Sequence, residues 1–304
     1  MTSDQVRGRL LPIAAGAFAT SMMGSSIPVV GTLQDFPPLT AQSVRYAIAG
    51  LALLVWLVVS ARRAGSPLVI PGLRDLVALV GLAATGLLGF NLAILLAQRD
   101  AEPGLVGAVV GAAPLVLAVL TPALARERPA RAVLVGAALV VIGVGVMAGG
   151  GSWEPIGLFF AGLALLGEVC FTVLAVGVLK RLGALAVSTW CCLLAAAGGA
   201  VIAVVGEQDQ WRDPTAGEVV AILYIALPVT VLGFACWYTA VGALGGDRAG
   251  VLLGLAPAVA LVLGVVLGAQ SVTAAGVGGV LLVGVGCAIG LAPRRTSVDL
   301  GVTL

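Results

Sequence analysis

Histidine is absent from the 304 residues, and charge is scarce, with Asp, Glu, Lys and Arg making up 10% of the chain. The first absence removes imidazole proton relays, His-based zinc sites and Ser-His-Asp triads. The second removes a water-soluble surface, because soluble domains carry about 25% charged residues. A net charge of +2 supplies no concentrated basic face, so no nucleic-acid partner is expected. The five cysteines (Cys170, Cys191, Cys192, Cys236 and Cys287) all lie inside apolar runs and form no CxxC pair. They read as small core hydrophobes rather than disulfides or metal ligands. No GxxxxGK[ST] loop occurs, which argues against direct use of ATP. No cofactor and no metal is expected.

What is present is apolar. Sixty per cent of the residues are hydrophobic and mean hydropathy is +1.15, with 43 glycines. A bilayer suits this chain better than water, and abundant small residues suit helices that pack closely in lipid. Crossing the hydrocarbon takes roughly 20 apolar residues. Ten runs qualify: 10–31, 39–61, 73–97, 104–124, 131–149, 155–179, 184–206, 216–240, 248–268 and 272–292. All are expected to be helices, since unpaired backbone groups are not tolerated in lipid. Arg7 and Arg9 precede the first run as in a signal peptide. That run is longer than an apolar signal core of about 7–15 residues and nine more follow, so it reads as a retained span.

Loop charge sets the orientation. With the N-terminus inside, thirteen of the sixteen basic residues fall in cytoplasmic segments, Arg99 and Arg212 lie outside, and Arg45 sits within a span. Asp35, Asp100, Glu102, Glu154, Glu207, Asp209 and Asp213 collect on the other side. Both termini are expected in the cytoplasm, with the protein in the cytoplasmic membrane.

The chain also repeats itself. Sliding it by 143 positions lays Gly107 on Gly250, Gly111 on Gly254, Ala113-Pro114 on Ala256-Pro257, Gly136 on Gly279 and Gly143 on Gly286. Leu88-Gly89-Phe90 matches Leu232-Gly233-Phe234 at an offset one larger. Two five-span halves, 1–149 and 150–304, follow. Five is odd, so the second half must insert upside down. The expected fold is an all-α membrane protein of ten transmembrane helices in two inverted five-helix repeats, an arrangement suited to alternating access.

These residues resemble the drug/metabolite transporter superfamily, in its ten-span EamA-like family. The resemblance covers about residues 10–292. It rests on the two halves Ala113-Pro114 to Glu127-Arg128 and Ala256-Pro257 to Gln270, on Ser43-Val44-Arg45-Tyr46 with Ala49-Gly50, and on Met23-Gly24-Ser25-Ser26-Ile27-Pro28. It implies movement of small metabolites, with amino acids and drug-like solutes prominent, through a cavity lined by spans one to four and six to nine. Spans five and ten would be peripheral. Two departures stand out: Gln270 where relatives often carry Glu, and Glu168, which is no part of the family pattern.

Glu168 lies roughly 20 Å below the outer end of its span at about 1.5 Å per residue, where an ionisable group is costly and therefore a functional candidate. Thr172 shares its face. The pair could contact a cation or substrate amine, carry a proton, or serve packing as a neutral carboxyl. Arg45 could hold a substrate carboxylate, pair with Glu168, or snorkel to the interface. Asn91 could bond a substrate or a neighbouring helix. Pro114 and Pro257 occupy equivalent mid-span positions and are expected to break their helices, acting as hinges. Ser21, Ser25 and Pro28 share a face of the first span, and with Thr230 they are candidate cavity lining, Pro28 as a further break. Trp237, Tyr238 and Trp56 read as interfacial anchors. Gly136, Gly143, Gly279 and Gly286 form small-residue stripes for close packing, within the chain or in a homodimer.

The expected function is a secondary transporter, exporting a small solute as monomer or homodimer. Proton antiport through Glu168 and facilitated diffusion are both open. A channel or a lipid or polyprenyl-carrier flippase is the alternative. An enzyme would need clustered nucleophiles, acids or metal ligands, and the spans contain one central carboxylate.

Overall fold

The computed structural model describes residues 3–33, 35–101, 103–149, 154–266 and 271–292. Among these residues there is no β-strand, and helices account for nearly everything. Among the described residues eight helices are long and apolar enough to cross a membrane. We label α1 Ser3–Val30, α2 Pro38–Ala64, α3 Leu73–Asp100, α4 Leu105–Leu124, α5 Arg131–Ala148, α6 Pro155–Gly206, α7 Ala216–Leu244 and α8 Gly246–Val266. A shorter apolar helix, α9, runs Ala274–Gly290.

The sequence separates 155–179 from 184–206, whereas the structure joins them in the 52 residues of α6. Gly183 bends this element, with φ 78° and ψ 163°. Glycine alone takes that geometry without a Cβ penalty, so the chain turns without a loop. The result is a first arm, 155–182, and a second arm, 184–206.

Four further interruptions lie inside spans. Residues Ala83–Gly89 of α3 and Ile225–Leu232 of α7 form π-helical turns, widened by one residue. Pro228 lies within the second and has no N–H to give to a helical bond. The two turns overlap when the halves are laid on each other at the Leu88–Leu232 offset. α4 breaks at Gly111–Ala112, between Pro103–Val110 and Ala113–Leu124. α8 tightens to a 3-10 turn at Leu252–Gly254, the matching place.

The two sequence halves interleave. α1 and α2 pack on α7, α8 and the second arm of α6, while the first arm of α6 packs on α3 and α4. Small residues allow the close approaches: a Cβ on Gly50 would lie 2.8 Å from the Leu193 side chain, and one on Gly167 would lie 2.7 Å from the Thr85 carbonyl oxygen. α5 and α9 lie against each other and against α4 and α8. A Cβ on Gly136 would sit 2.6 Å from Gly286 O, and one on Gly143 would sit 2.7 Å from Gly279 O. Numbers rise along one helix as they fall along the other, so the pair is antiparallel. Leu51, Val55, Val77, Ile142, Leu166, Val205 and Leu281 point outward and exposed. Such an apolar exterior calls for lipid.

Candidate functional site

The interior polar groups gather around one turn of α2. Arg45 donates from Nε to Thr230 Oγ1 at 2.7 Å and, more weakly, from Nη1 to Gln42 Oε1 at 3.3 Å. Its guanidinium also lies 5.1 Å from the centroid of the Tyr46 ring. Thr230 passes the contact on, donating its hydroxyl proton to Ile225 O at 2.7 Å, a carbonyl of its own widened turn. Tyr46, fully buried, accepts from Asn91 Nδ2 at 3.3 Å, and the same amide bonds Leu87 O at 2.6 Å. Leu87 belongs to the other widened turn. Adjacent residues of α2 therefore hold both widened turns, one from each half. This unites three of the sequence candidates, Arg45, Thr230 and Asn91.

Arg45 does not pair with Glu168. Among the described residues the two ion pairs are Arg181–Asp75 and Arg212–Glu218. Arg45 is a half-buried cation whose partners are neutral oxygens, a state that in an apolar interior leaves capacity for an anion.

A cleft of about 510 Å³ opens where the end of α1 meets the start of α7 and the end of α8. Its lining is mostly apolar, from Pro28, Val29, Val220, Ala221 and Leu263, with Ser25, Thr32 and Tyr224 adding hydroxyls. Ser25 Oγ and Tyr224 OH lie 2.7 Å apart, and Ser25 also bonds Met22 O at 2.8 Å. Ser21 is half-buried one turn further into α1 and does not line the cleft.

Glu168 and Thr172 sit on the first arm of α6, 7% and 0% exposed. Thr172 Oγ1 makes only a long 3.5 Å contact to the Glu168 carbonyl. Pro114 stands one residue into the helix that resumes after the Gly111–Ala112 break. Pro257 stands two residues into Leu255–Val266, after the 3-10 turn. Gln270 lies outside the described residues.

Two readings of the sequence change. Trp237 and Tyr238, expected at an interface, are 4% and 0% exposed within the largest core cluster. Tyr238 stacks 5.3 Å from Phe171, an inward contact that position along a span does not reveal. Trp56, by contrast, is exposed on the outside of the bundle.

The structure also adds residues. Glu207, counted only as a loop charge, accepts the backbone N–H groups of Leu39 and Thr40, both at 2.8 Å, and the Thr40 hydroxyl at 2.9 Å. It thereby caps the start of α2, where the helix dipole favours an anion. Trp211 Nε1 reaches Thr40 Oγ1 at 3.0 Å. Arg212 grips Glu218, donates to Asp35 O at 3.1 Å and covers the Phe36 ring. The hydrogen-bonded Glu218 carboxylate holds the Arg212 guanidinium above its ordinary range. Of these, only the Thr215-to-Glu218 capping box was written in the sequence as a pattern. Tyr224 carried no such signal.

An interleaved all-α bundle with an apolar exterior, broken spans and an interior cation is the architecture of a membrane transporter. The sequence profile of the EamA-like transporter family matches residues 10–149 and again 155–291, and the chain belongs to that family. Among curated relatives it is 29% identical over 262 residues to the uncharacterized transporter YetK of Bacillus subtilis strain 168, covering 83% of this chain and 78% of the relative. It is 27% identical over 263 residues to the uncharacterized transporter YdeK of the same organism, covering 83% and 87%. A solved crystal structure superposes with a TM-score of 0.79 at 22% identity, over 92% of this chain and 96% of the other, a likeness of fold.

Proposed function

We propose that this protein is a secondary transporter that moves a small amphipathic or zwitterionic metabolite, such as an amino acid or drug-like solute, out of the cell by alternating access. The supporting observation is the position of Arg45: a cation inside an apolar bundle, bonded to a neutral hydroxyl and lying between two widened helical turns. Widened turns loosen the backbone ladder and recur at functional sites. Here they occupy matching places in the two halves, so each half has a bending point beside the same charged group.

In this reading the chain makes ten crossings of the cytoplasmic membrane, the two arms of α6 counting separately. Residues 1–149 and 150–304 form inverted repeats, and both termini face the cytoplasm. The double match of the family profile and the antiparallel, reciprocal contacts of α5 with α9 support the duplication. Pro114, Pro257 and Pro28 act as bending points. Ser25, with Ser21 deeper on α1, lines the route from the external cleft, and Arg45, Thr230 and Asn91 take the anionic part of the solute. Glu168 and Thr172 serve deeper in the path, where Glu168 is also the candidate carrier of an exchanged proton.

The test is counterflow in proteoliposomes loaded with a mixture of amino acids and other metabolites, with and without a pH gradient. Saturable uptake stimulated by internal solute supports a carrier. Flux that neither saturates nor responds to internal solute would replace the carrier with a channel. Absence of solute flux together with movement of labelled lipid would replace it with a flippase.

A further inference from the structure

Buried polar atoms that lack partners are rare, because each costs the desolvation it never recovers. Among the described residues three side-chain atoms are in that state: Thr121 Oγ1, Trp237 Nε1 and Tyr238 OH. Two of them belong to residues packed on the first arm of α6, which carries Glu168. Thr121 of α4 and Thr172 of the first arm of α6 converge on Gly246, where a Cβ would lie 3.0 Å from Thr121 Oγ1 and 3.2 Å from Thr172 Cγ2. Tyr238 reaches the Glu168 face of the first arm through its ring, which packs on Phe171 three residues along. The Glu168 carboxylate forms no ion pair or side-chain hydrogen bond with any described residue, although Glu168 is buried.

Aromatic rings complete the place. Residues 168, 171 and 172 share a helix face. The Phe171 ring lies 5.3 Å from that of Tyr238 and 5.4 Å from that of Phe234, and these two lie 6.2 Å apart. An unpaired buried carboxylate on the helix face that also carries Phe171 and Thr172, with clustered rings and unpartnered hydroxyls packed on that arm, is complementary to one kind of ligand. An organic ammonium brings positive charge to the carboxylate, N–H donors to the hydroxyls, and a cation and its C–H groups to the ring faces. An anion would meet Glu168 head-on, and a neutral solute would leave it unpaired.

We infer that Glu168, Thr121, Thr172 and Tyr238, walled by Phe171 and Phe234, form a binding site for the protonated amine of the transported solute. This rests on the transporter reading and narrows its substrate to primary or secondary amines carrying an apolar group. Its residues differ from those of the Arg45 cluster, which has the opposite charge.

The experiment titrates the full-length protein, purified in nanodiscs, with 2-phenylethylamine and with its neutral counterpart 2-phenylethanol, reading affinity by calorimetry and by thermal shift. The amine is expected to bind saturably and the alcohol not to. Glu168→Gln is expected to weaken the amine by at least about tenfold with little change in the melting temperature of the free protein. Thr121→Val and Phe234→Leu should each weaken it severalfold, and they carry the test if Glu168→Gln fails to fold. Equal binding of amine and alcohol, unchanged affinity in these variants, or no binding of the amine would each overturn the site. Counterflow of the metabolite mixture is measured on the same protein. Exchange without amine binding removes the ammonium site and leaves the carrier standing, whereas loss of both removes the carrier.

Discussion

Arg45 and Thr230, 185 positions apart in the chain, share a 2.7 Å hydrogen bond that ties α2 to the widened turn of α7. Thr230→Val keeps the shape and removes the hydroxyl, leaving Arg45 Nε without its partner. A lost bond to a charged donor costs about 1.5–3 kcal/mol. Solute exchange should fall by tenfold or more in Arg45→Ala. In Arg45→Lys it should recover only in part, because an ammonium lacks the fork that reaches Thr230 and Gln42 together. Rates measured in proteoliposomes decide this, and wild-type exchange in Arg45→Ala would remove Arg45 from the site.

The α5–α9 packing was legible because small residues seven apart mark a packing stripe whatever they pack on, and the glycines and prolines that recur at fixed offsets fall in the two stretches matched by the family profile. The Arg45–Thr230 bond was not legible. Each residue looked like an isolated polar group in its own span, and only tertiary packing brings them together. Tyr238 shows the same limit from the other side. An aromatic near the end of an apolar run has the pattern of an interfacial anchor, and its contact with Phe171 overrides that pattern. The turn at Gly183 was expected as a junction between spans, but four residues without Pro, Asn or Asp gave no sign that the helix would bend rather than stop.

Gly143 faces Gly279 with no room for a side chain, and Gly136 faces Gly286 in the same way. Gly143→Leu should force α5 away from α9, and overpacking of this kind costs about 1–3 kcal/mol or more. The thermal midpoint in detergent should drop, whereas Gly145→Leu, where a Cβ meets nothing, should leave it nearly unchanged. Equal melting of the two variants would contradict the close packing.

Glu207 holds the first turn of α2 through two backbone N–H groups and a hydroxyl. Glu207→Ala should destabilise the protein by about 1–2 kcal/mol, the scale of a lost N-cap with its charge–dipole term. Glu207→Gln should recover part of this, since its amide oxygen still accepts. Limited proteolysis at the start of α2 and thermal melting read the effect, and unchanged cleavage in Glu207→Ala would rule the cap out as a structural support.

Residues before 149 and after 155 also meet through charged contacts away from Arg45. Arg212 bonds Asp35 O and covers Phe36, and Arg181 pairs with Asp75. If the halves rock about a central site, the two sets of contacts cannot both persist through a cycle. The most direct measurement starts from a variant lacking the native cysteines and joins Phe36→Cys to Arg212→Cys with a short, cleavable thiol linker. Exchange of the identified solute is then followed in proteoliposomes. Alternating access predicts that exchange stops when the linker closes and returns when it is cleaved. Undiminished exchange through the linked protein would contradict it.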